Sequence, residues 1–263
     1  MKKWYFICSY ILVVLLIFIL WQNNDLVVSN YQVDSGLDES IKIVHLSDLH
    51  SKEFGQDNAR LLDQVRDQEP DLIFVTGDLV DQKEDALDGQ LDYMEDLNAI
   101  APVYVVFGNH EYWSDLDEEI KSFLEDRNIV VLDNEVIYMN VKGHYFQLIG
   151  LSDEASGQAV EDVFMELVNP AMYNIVLYHQ TDQLDLFAEH SVELIFSGHA
   201  HGGQVRLPLL GGLYAPNQGF LPDYTSGLYE EEETTMVVSR GLGNSVIPFR
   251  VFNRPEILVL TID

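Results

Sequence analysis

Five short polar segments each follow a short apolar run, and this arrangement constrains the fold more than any other feature of the chain. In order, the segments are Asp48-Leu49-His50, Gly77-Asp78, Gly108-Asn109-His110-Glu111, His179 and Gly198-His199-Ala200-His201. The runs before them are rich in Ile, Val and Leu, as buried strands of an α/β sheet are. In such a sheet, ligands bind beyond the carboxyl ends of the strands. The pattern therefore predicts an α/β domain with one polar site.

Strand and helix patterns alternate after residue 40, as they do in βαβ units. The apolar spacing predicts helices at 58–69, 87–100, 160–167 and 181–189. Between 129 and 151 the period shortens towards two, which indicates shorter strands with a turn at Lys142-Gly143. The stretch 208–228 is rich in Gly, Pro and Tyr, and we expect a long ordered loop there. Its large apolar residues either pack within the loop or form an apolar surface near the site and a membrane.

The first 21 residues differ from the rest of the chain. Between Trp4 and Trp21 there are 18 residues without charge, which as a helix span roughly 27 Å at about 1.5 Å per residue. Lys2 and Lys3 precede them, so the positive-inside rule places the amino terminus in the cytoplasm. A cleavable signal peptide is the alternative, but the apolar run is long for one and 23–26 lacks a small-x-small cleavage site.

We therefore expect three parts: a single-pass transmembrane signal anchor at 1–21, a polar stalk at 22–40 and a large domain at 41–263. The domain would lie outside the cytoplasm, attached to the cell membrane. The only cysteine, Cys8, falls within the apolar run, which excludes a thiol nucleophile and a Cys-ligated zinc site from the domain. A domain without cysteine suits the outer side of a bacterial membrane.

The chain is strongly acidic, with a formal net charge of −30. Such a field repels the phosphate backbone of nucleic acids, so we expect no nucleic-acid binding. An anionic substrate would need local positive charge, which bound metal ions supply.

The polar segments contain the donors of a two-metal site. Asp48 and His50 stand two apart at a strand end, so both can point to one face, and the carboxylate of Asp78 has two oxygens with which to bridge two ions. Asn109 offers an amide oxygen, and three histidines complete the set: His179, His199 and His201. Nitrogen and oxygen donors without sulfur favour manganese, iron or zinc over calcium. Two such ions about 3.5–4 Å apart would activate a bridging hydroxide for phosphoester hydrolysis.

The order D-x-H, G-D, G-N-H-[DE], H and G-H-x-H resembles the calcineurin-like metallophosphoesterase superfamily, from Ile41 to Ile262. The stretches SDLHS, GHAHGGQVRLP and VSRGLGNSVIPFR extend the resemblance to the subfamily of membrane-anchored YkuE- and YaeI-type phosphodiesterases. The resemblance implies an α/β fold in which two sheets form an αββα sandwich. The Gln180-Thr181-Asp182 sequence departs from the subfamily, which commonly has a proline after the histidine.

The resemblance also implies roles for individual residues. Carried over to this sequence, one metal would be held by Asp48, His50, Asp78 and His201. The other metal would be held by Asp78, Asn109, His179 and His199. His110 would be the catalytic residue, which contacts the phosphate and protonates the leaving group. The alternative role for His110 is to order its loop.

Other polar residues are expected to be structural. His45, His144 and His190 lie outside the motifs, and Glu111 is expected to stabilise a turn. Arg206, Arg240 and Arg250 are scarce cations, which either contact substrate phosphate or pair with carboxylates.

The leading hypothesis is a membrane-anchored, metal-dependent phosphoesterase. Its substrate is a phosphodiester or pyrophosphate, either soluble or lipid-linked, the latter similar to the substrate of UDP-diacylglucosamine pyrophosphatases. The alternative from a different class is a non-catalytic scaffold that binds metal or a protein partner on the same fold.

Overall fold

The computed structural model describes residues 2–83, 86–87, 89–245 and 248–263. The helices in this part of the chain are α1 (Lys2–Asn24), α2 (Ala59–Arg66), α3 (Tyr93–Ile100), α4 (Asn109–Trp113), α5 (Asp117–Glu125), α6 (Val160–Leu167) and α7 (Leu184–Ala188). Short 3₁₀ turns occur at Gln56–Asn58, Glu154–Ser156 and His201–Gly203.

The strands are named in chain order. The first eight are β1 (Val27–Val33), β2 (Ile41–Leu46), β3 (Leu72–Thr76), β4 (Val103–Val106), β5 (Val130–Val131), β6 (Glu135–Val141), β7 (His144–Leu151) and β8 (Tyr173–Tyr178). The others are β9 (Leu194–Ser197), β10 (Arg206–Leu207), β11 (Gly211–Gly212), β12 (Tyr214–Ala215), β13 (Gly219–Phe220), β14 (Gly227–Glu231), β15 (Thr234–Val238) and β16 (Glu256–Ile262).

Two six-stranded sheets form the body of the molecule. The first sheet has the order β1-β16-β2-β3-β4-β5, and the second has the order β14-β15-β9-β8-β7-β6. In the first sheet β2, β3, β4 and β5 run parallel, as do β7, β8, β9 and β15 in the second. The parallel central strands bring their carboxyl ends to one edge of each sheet.

Alternate residues of these strands belong to different layers. In β3, Phe74 packs into the core between the sheets, whereas Ile73 and Val75 pack under the helices of the first sheet. In β8, Leu177 faces the core between the sheets and Val176 faces the helices of the second sheet. Strands buried on both faces explain the continuous apolar runs of the sequence. The predicted αββα sandwich is confirmed.

The helices follow from their apolar faces. In α2, Leu61, Leu62 and Val65 are buried against the first sheet. The pattern predicted this helix over 58–69, and Pro70 limits it as expected. The helix predicted at 87–100 begins later, at Tyr93. The hairpin turn predicted at Lys142-Gly143 joins β6 and β7.

The segment 22–40 is not the stalk that its polar composition predicts. Val27–Val33 forms β1, which pairs in parallel with the whole length of β16 and makes the edge of the first sheet. The prediction was wrong here because Ser29, Asn30 and Gln32 interrupt the apolar pattern, yet an edge strand needs only its backbone to pair. The domain fold therefore begins almost directly after α1.

Helix α1 is long and apolar enough to cross a membrane. Its span Trp4–Asn24 has a mean hydropathy of 2.5, and its most apolar stretch is not buried in the molecule. The last turn is different, because Gln22 and Asn23 are buried against the domain. Asp25 accepts hydrogen bonds from Trp21 and from Arg254, which fixes the start of the domain to the end of the helix.

Candidate metal centre

The predicted ligands all lie where strands of the two sheets end. Asp48 and His50 follow β2, Asp78 follows β3, and Asn109 begins α4 directly after β4. From the second sheet, His179 follows β8, and His199 and His201 follow β9. Residues that are up to 151 positions apart in sequence are thereby in contact. All seven predicted ligands are buried.

The first group consists of Asp48, His50, Asp78 and His201, whose donor atoms all lie within 4.8 Å of one another. Nε2 of His50 is 3.5 Å from Oδ2 of Asp78. Nε2 of His201 is 3.3 Å from Oδ1 of Asp48. The Nε2 atoms of the two histidines are 3.1 Å apart, so their ring nitrogens converge on the same point as the two carboxylates.

The second group consists of Asp78, His179 and His199. Nε2 of His179 lies 3.3 Å from Oδ2 of Asp78 and 3.1 Å from Nδ1 of His199. Asn109 is buried nearby, and its Oδ1 has no hydrogen-bond partner among the described residues. The two groups share Asp78, and Oδ2 is the atom that faces both His50 and His179.

Hydrogen bonds behind these residues fix their orientation. Nδ1 of His179 is 2.6 Å from the carbonyl oxygen of Thr76, to which it donates. This bond keeps a proton on Nδ1 and directs Nε2 towards the site, which is the orientation that metal-ligating histidines require. The backbone N–H of His199 donates to both oxygens of Asp48, at 3.0 and 3.2 Å, and so links the two sheets.

Glu111 has the structural role that the sequence suggested. Its carboxylate accepts hydrogen bonds from the backbone N–H groups of Asp78, Leu79, Val80 and Gly108, at distances between 2.7 and 3.2 Å. Four donors around one buried carboxylate hold the loops after β3 and β4 together. Asp78 and Asn109 are positioned by these loops.

The backbone at the site is tightly constrained. Positive φ angles occur at five of the predicted ligands: Asp48, His50, Asp78, His199 and His201. Such conformations cost non-glycine residues roughly 1–3 kcal/mol each and persist where the surroundings enforce them. At Gly198 an added Cβ would lie 1.8 Å from Oγ of Ser47 and 2.6 Å from Oδ2 of Asp48, so only glycine fits where the ends of β9 and β2 meet.

Charge and burial set the protonation of the ligands. Burial lowers the pKa of His50 to about 4 and of His199 to about 3, so both rings are neutral at pH 7 and can bind a cation. Burial raises the pKa of Asp48 to about 6, and the charge of Asp78 adds to this effect. Burial opposes ionisation of Asp78 as well, but the charge of a protonated His179 and its hydrogen bond hold the pKa of Asp78 well below its usual value. A cation bound at Nε2 of His179 would replace that proton. Two neighbouring buried carboxylates repel each other, and a bound cation would relieve that repulsion.

His110 lies beside the first group. Its ring is 4.4 Å from the ring of His50, edge to face, and 5.4 Å from that of Trp113. Its backbone N–H donates to Oδ1 of Asp78, and its Nδ1 accepts a hydrogen bond of 3.0 Å from the backbone N–H of Gln82. Because Nδ1 is an acceptor, the proton of the neutral ring is on Nε2. Gln82 was not singled out from the sequence, since a backbone donor leaves no trace in residue type.

A cleft of about 560 Å³ opens over both groups, with Asp78, Asn109, His110, His199 and His201 in its wall. The lining also includes three acidic residues that are not predicted ligands: Asp81, Asp153 and Glu154. Among the described lining residues other than histidine, Lys83 is the basic one. An anionic substrate in this cleft therefore needs positive charge from bound cations.

Asp81, in the loop after β3, is a further acid close to the site. Its carboxylate is within 4.8 Å of ring nitrogens of both His50 and His110.

Three arginines, whose roles the sequence leaves open, make structural contacts. Arg240 pairs with Glu256 at 2.7 Å, and Arg206 donates to the carbonyl oxygen of Gly202 at 2.8 Å. Arg250 is buried and donates to the carbonyl oxygens of Gly243 and Arg240. Among the described residues that line the cleft, none is one of these three arginines.

The remaining histidines are outside the site, as expected. His45 is fully buried between the sheets, and its Nε2 is 2.7 Å from Oγ1 of Thr76. Nδ1 of His190 donates to the carbonyl oxygen of Leu186 at the end of α7. His144 begins β7 at the far hairpin.

Asn253 is a supporting residue that the sequence analysis missed. Its Nδ2 donates to the carbonyl oxygens of His201 at 2.7 Å and Gln204 at 3.1 Å, and so holds the turn that carries His201. The residue follows no motif and lies more than 50 positions from the histidine it supports. A single sequence carries no sign of such a contact.

The donor set fits divalent cations. Two pairs of imidazole nitrogens point at each other at 3.1 Å, next to carboxylate oxygens and an amide oxygen without a partner among the described residues. Imidazole nitrogens and ionised carboxylates in that arrangement are what manganese, iron or zinc require. The His and Asp clusters can therefore bind metal.

The chain matches the calcineurin-like phosphoesterase family over residues 41–203. This match covers more than half of the sequence and contains every predicted ligand. The chain belongs to the calcineurin-like phosphoesterase family. It is accordingly a hydrolase that acts on phosphoester bonds, in a family that uses divalent metals.

Relatives and a solved structure agree with this assignment. The chain is 28% identical to the metallophosphoesterase YkuE of Bacillus subtilis over 229 residues, which cover 85% of this chain and 79% of the relative. It is 30% identical to the phosphodiesterase YaeI of Escherichia coli over 230 residues, which cover 83% and 81%. The structure of TT1561 of Thermus thermophilus superposes with a TM-score of 0.52 at 14% identity, covering 78% of this chain and 91% of that one. This last likeness shows a shared fold.

Proposed function

We propose that this phosphoesterase uses two divalent ions held by the seven predicted ligands, and that His110 assists the leaving group. The observation that carries the proposal is the shared carboxylate: Oδ2 of Asp78 faces a nitrogen donor of each group, His50 in one and His179 in the other. Bound there, two ions would supply an activated water nucleophile and would neutralise the phosphoryl oxygens.

The protein residues have separate tasks in this proposal. Asp48, His50, Asp78 and His201 hold one ion, and Asp78, Asn109, His179 and His199 hold the other. His110 stands at the cleft with its proton on Nε2, because the N–H of Gln82 occupies Nδ1. From there its Nε2–H can donate a hydrogen bond to the leaving oxygen as the ester bond breaks. Transfer of a proton to that oxygen requires the imidazolium, in which Nδ1 is protonated and has given up the Gln82 contact.

We also propose that α1 anchors the enzyme in the cell membrane, with the amino terminus in the cytoplasm and the domain outside it. The support is the apolar span Trp4–Asn24 and the two lysines that precede it. Protease added to intact spheroplasts of a bacterial host should then digest or release the domain. Digestion that occurs only after lysis would contradict this orientation.

The substrate class within the family is a phosphodiester or pyrophosphate. The acidic lining of the cleft favours a group whose charge is met by the ions rather than by side chains. A lipid-linked pyrophosphate, similar to UDP-diacylglucosamine, is the narrower alternative. A non-catalytic scaffold on this fold is the opposing hypothesis, although every predicted ligand and His110 are present.

The test uses the full chain in lipid nanodiscs, because the last turn of α1 packs against the domain. The purified protein, loaded with manganese, is expected to hydrolyse bis-p-nitrophenyl phosphate, and metal analysis is expected to find two ions per chain. The Asp78→Asn variant serves as the control for contaminating activity. The scaffold hypothesis would be supported instead if the protein held both ions but hydrolysed none of three substrates: this diester, p-nitrophenyl phosphate and a lipid pyrophosphate.

A further inference from the structure

We propose that the enzyme touches the bilayer through a second surface besides α1, an apolar rim that rests in the lipid headgroup region beside the cleft. The rim consists of Leu207, Leu209, Leu210, Phe220, Leu221 and Phe252. The proposal rests on the membrane anchoring proposed for α1 and identifies the bilayer as the partner of this surface.

The rim residues are exposed in spite of their size. Leu209 is fully exposed, with a relative exposure of 105%, and Phe220 is 85% exposed. All of them except Phe252 lie on or directly beside two adjoining hairpins, β10–β11 and β12–β13. The hairpins are joined by backbone hydrogen bonds from Leu213 to Val205 and from Leu221 to Leu213. The hairpins that carry these exposed apolar side chains are therefore adjacent, and apolar residues grouped in this way on a surface mark interaction sites.

The rim is continuous with the membrane helix. The ring of Phe252 packs on the ring of Phe18 in α1, with centroids 5.5 Å apart. The next residue back, Val251, accepts a hydrogen bond from the backbone N–H of Arg206 at 2.9 Å, and Leu207 follows directly. An extended chain advances about 3.3 Å per residue. The hairpin at 206–212 therefore begins only a few residue lengths away from α1 in space.

The helix cannot swing away from the domain as it could on a stalk. The side-chain oxygen of Asn23 accepts a hydrogen bond from the backbone N–H of Arg250, and that of Gln22 accepts one from the N–H of Asn253. The ammonium group of Lys52 donates to the carbonyl oxygen of Asn23. These contacts set the tilt of the domain relative to α1, and thereby hold the rim at the level of the helix end.

Lipid is the partner that suits both the chemistry and the position of the rim. Trp21 lies at the helix end, with its Nε1 donating to Asp25 and the guanidinium of Arg254 5.3 Å from its ring, as interfacial aromatic residues are placed. The net charge of −30 opposes electrostatic attraction to anionic lipids. An apolar contact that continues the apolar helix can hold the domain at the surface without that attraction.

The rim also bears on access to the site. Pro216 and Asn217, in the turn between β12 and β13, line the cleft, while Phe220 on the same hairpin belongs to the rim. The cleft would then open next to the headgroups of the lipid bilayer.

The experiment is site-directed fluorescence on the full chain in nanodiscs, with and without lipids that carry a doxyl quencher. In a Cys8→Ser background, a polarity-sensitive thiol probe is attached at Leu209→Cys, Phe220→Cys or, as the control, Tyr145→Cys. Tyr145 is a comparably exposed residue, at 72%, on the β6–β7 hairpin. The native Cys8, labelled in the wild-type chain, reports on the helix itself.

We expect probes at 8, 209 and 220 to shift to the blue and to be quenched several-fold by doxyl lipid, and the probe at 145 to be unaffected. Quenching at 8 without quenching at 209 and 220 would overturn the rim and leave the anchor intact. No quenching at 8 would refute the anchor and the rim with it. A blue shift at 209 that needs two copies per disc and resists the quencher would assign the surface to a second copy and overturn the proposal. None of these outcomes depends on activity, so the phosphoesterase proposal is tested separately.

Discussion

The metal site and the loops at 204–226 and 248–253 lie next to each other but are built in different ways. At the site, each ligand follows a buried strand, and the register of the sheets decides where it lies. The described residues of these loops form strands of only two residues, and side chains decide the course of the loops: Arg250 binds carbonyl oxygens, and Asn253 holds the turn after β9. Ligand positions at strand ends can be predicted from a single sequence, whereas the course of loops held by side-chain contacts cannot.

The difference also concerns the origin of rigidity. Strand ends are fixed by the burial of dozens of apolar side chains, so one substitution in a loop does not displace them. The loops at 204–226 and 248–253 depend on a few hydrogen bonds to buried groups, each worth about 1 kcal/mol net, and on the last turn of α1. Substitutions in the site should therefore abolish chemistry, whereas those in the loops should weaken it by degrees.

The largest effect is expected for Asp78→Asn. Removing the charge of the one carboxylate shared by both groups should eliminate measurable turnover and lower the bound metal well below that of the wild type. Turnover of bis-p-nitrophenyl phosphate and elemental analysis measure the two effects. Asp63→Asn, an exposed acid on α2, is the control and should change neither. An active Asp78→Asn enzyme with a full metal complement would rule out the shared carboxylate.

A smaller but still large effect is expected for His110→Ala. Both ions should remain, because the residue supplies no ligand, while turnover should fall about 10²–10⁴-fold, or roughly 3–5 kcal/mol of barrier. The loss should shrink for nitrophenyl leaving groups, which depart without a proton, and grow for alkyl esters. A uniform loss across leaving groups would show that His110 positions the phosphate, and loss of metal would show that its loop had collapsed.

These two predictions concern the part of the molecule that the sequence reveals. The apolar runs and the residues after them predict both sheets and the ligand positions, since burial on two faces leaves a pattern in residue type. The stalk was predicted wrongly, because β1 joins the sheet through backbone bonds that tolerate Ser29 and Asn30. The role of Asn253 was also hidden, since one buried amide looks like any other asparagine in a sequence.

Asn253→Ala is expected to have an intermediate effect. It removes the two hydrogen bonds that Nδ2 donates to the buried carbonyl oxygens of His201 and Gln204, each worth about 1 kcal/mol net. We expect metal affinity to fall about 10-fold, within the 10–100-fold range typical of residues behind metal ligands. Titration of the metal-free enzyme with manganese measures this loss. Asn140→Ala, which removes an exposed hairpin contact, should leave the titration unchanged.

The smallest effect is expected where α1 meets the domain, and two adjacent asparagines allow a matched test. Asn23 is buried, and its side chain accepts a hydrogen bond from the backbone N–H of Arg250. Among the contacts described, the side chain of Asn24 bonds only within the helix, to the carbonyl oxygen of Leu20. Asn23→Ala should cost about 1 kcal/mol, which lowers the melting temperature of the domain by roughly 2–4 °C for a chain of this size. Asn24→Ala should lower it by less than that.

Turnover should fall less than threefold in either variant, because the ligands stay fixed by the sheets. Circular dichroism of the two full-length variants in the same nanodiscs would measure the difference in melting temperature. Equal melting temperatures for the two would mean that the side chain of Asn23 does not brace the loop at 248–253. The orientation of the domain would then depend on the other contacts of the helix end, among them the Gln22–Asn253 hydrogen bond, the Phe18–Phe252 contact and the salt bridge of Arg254. A loss of turnover as large as that of Asn253→Ala would instead show that the anchor supports the metal site directly, through Arg250 and Asn253. The contrast between a site fixed by strands and a region fixed by side chains would then have to be given up.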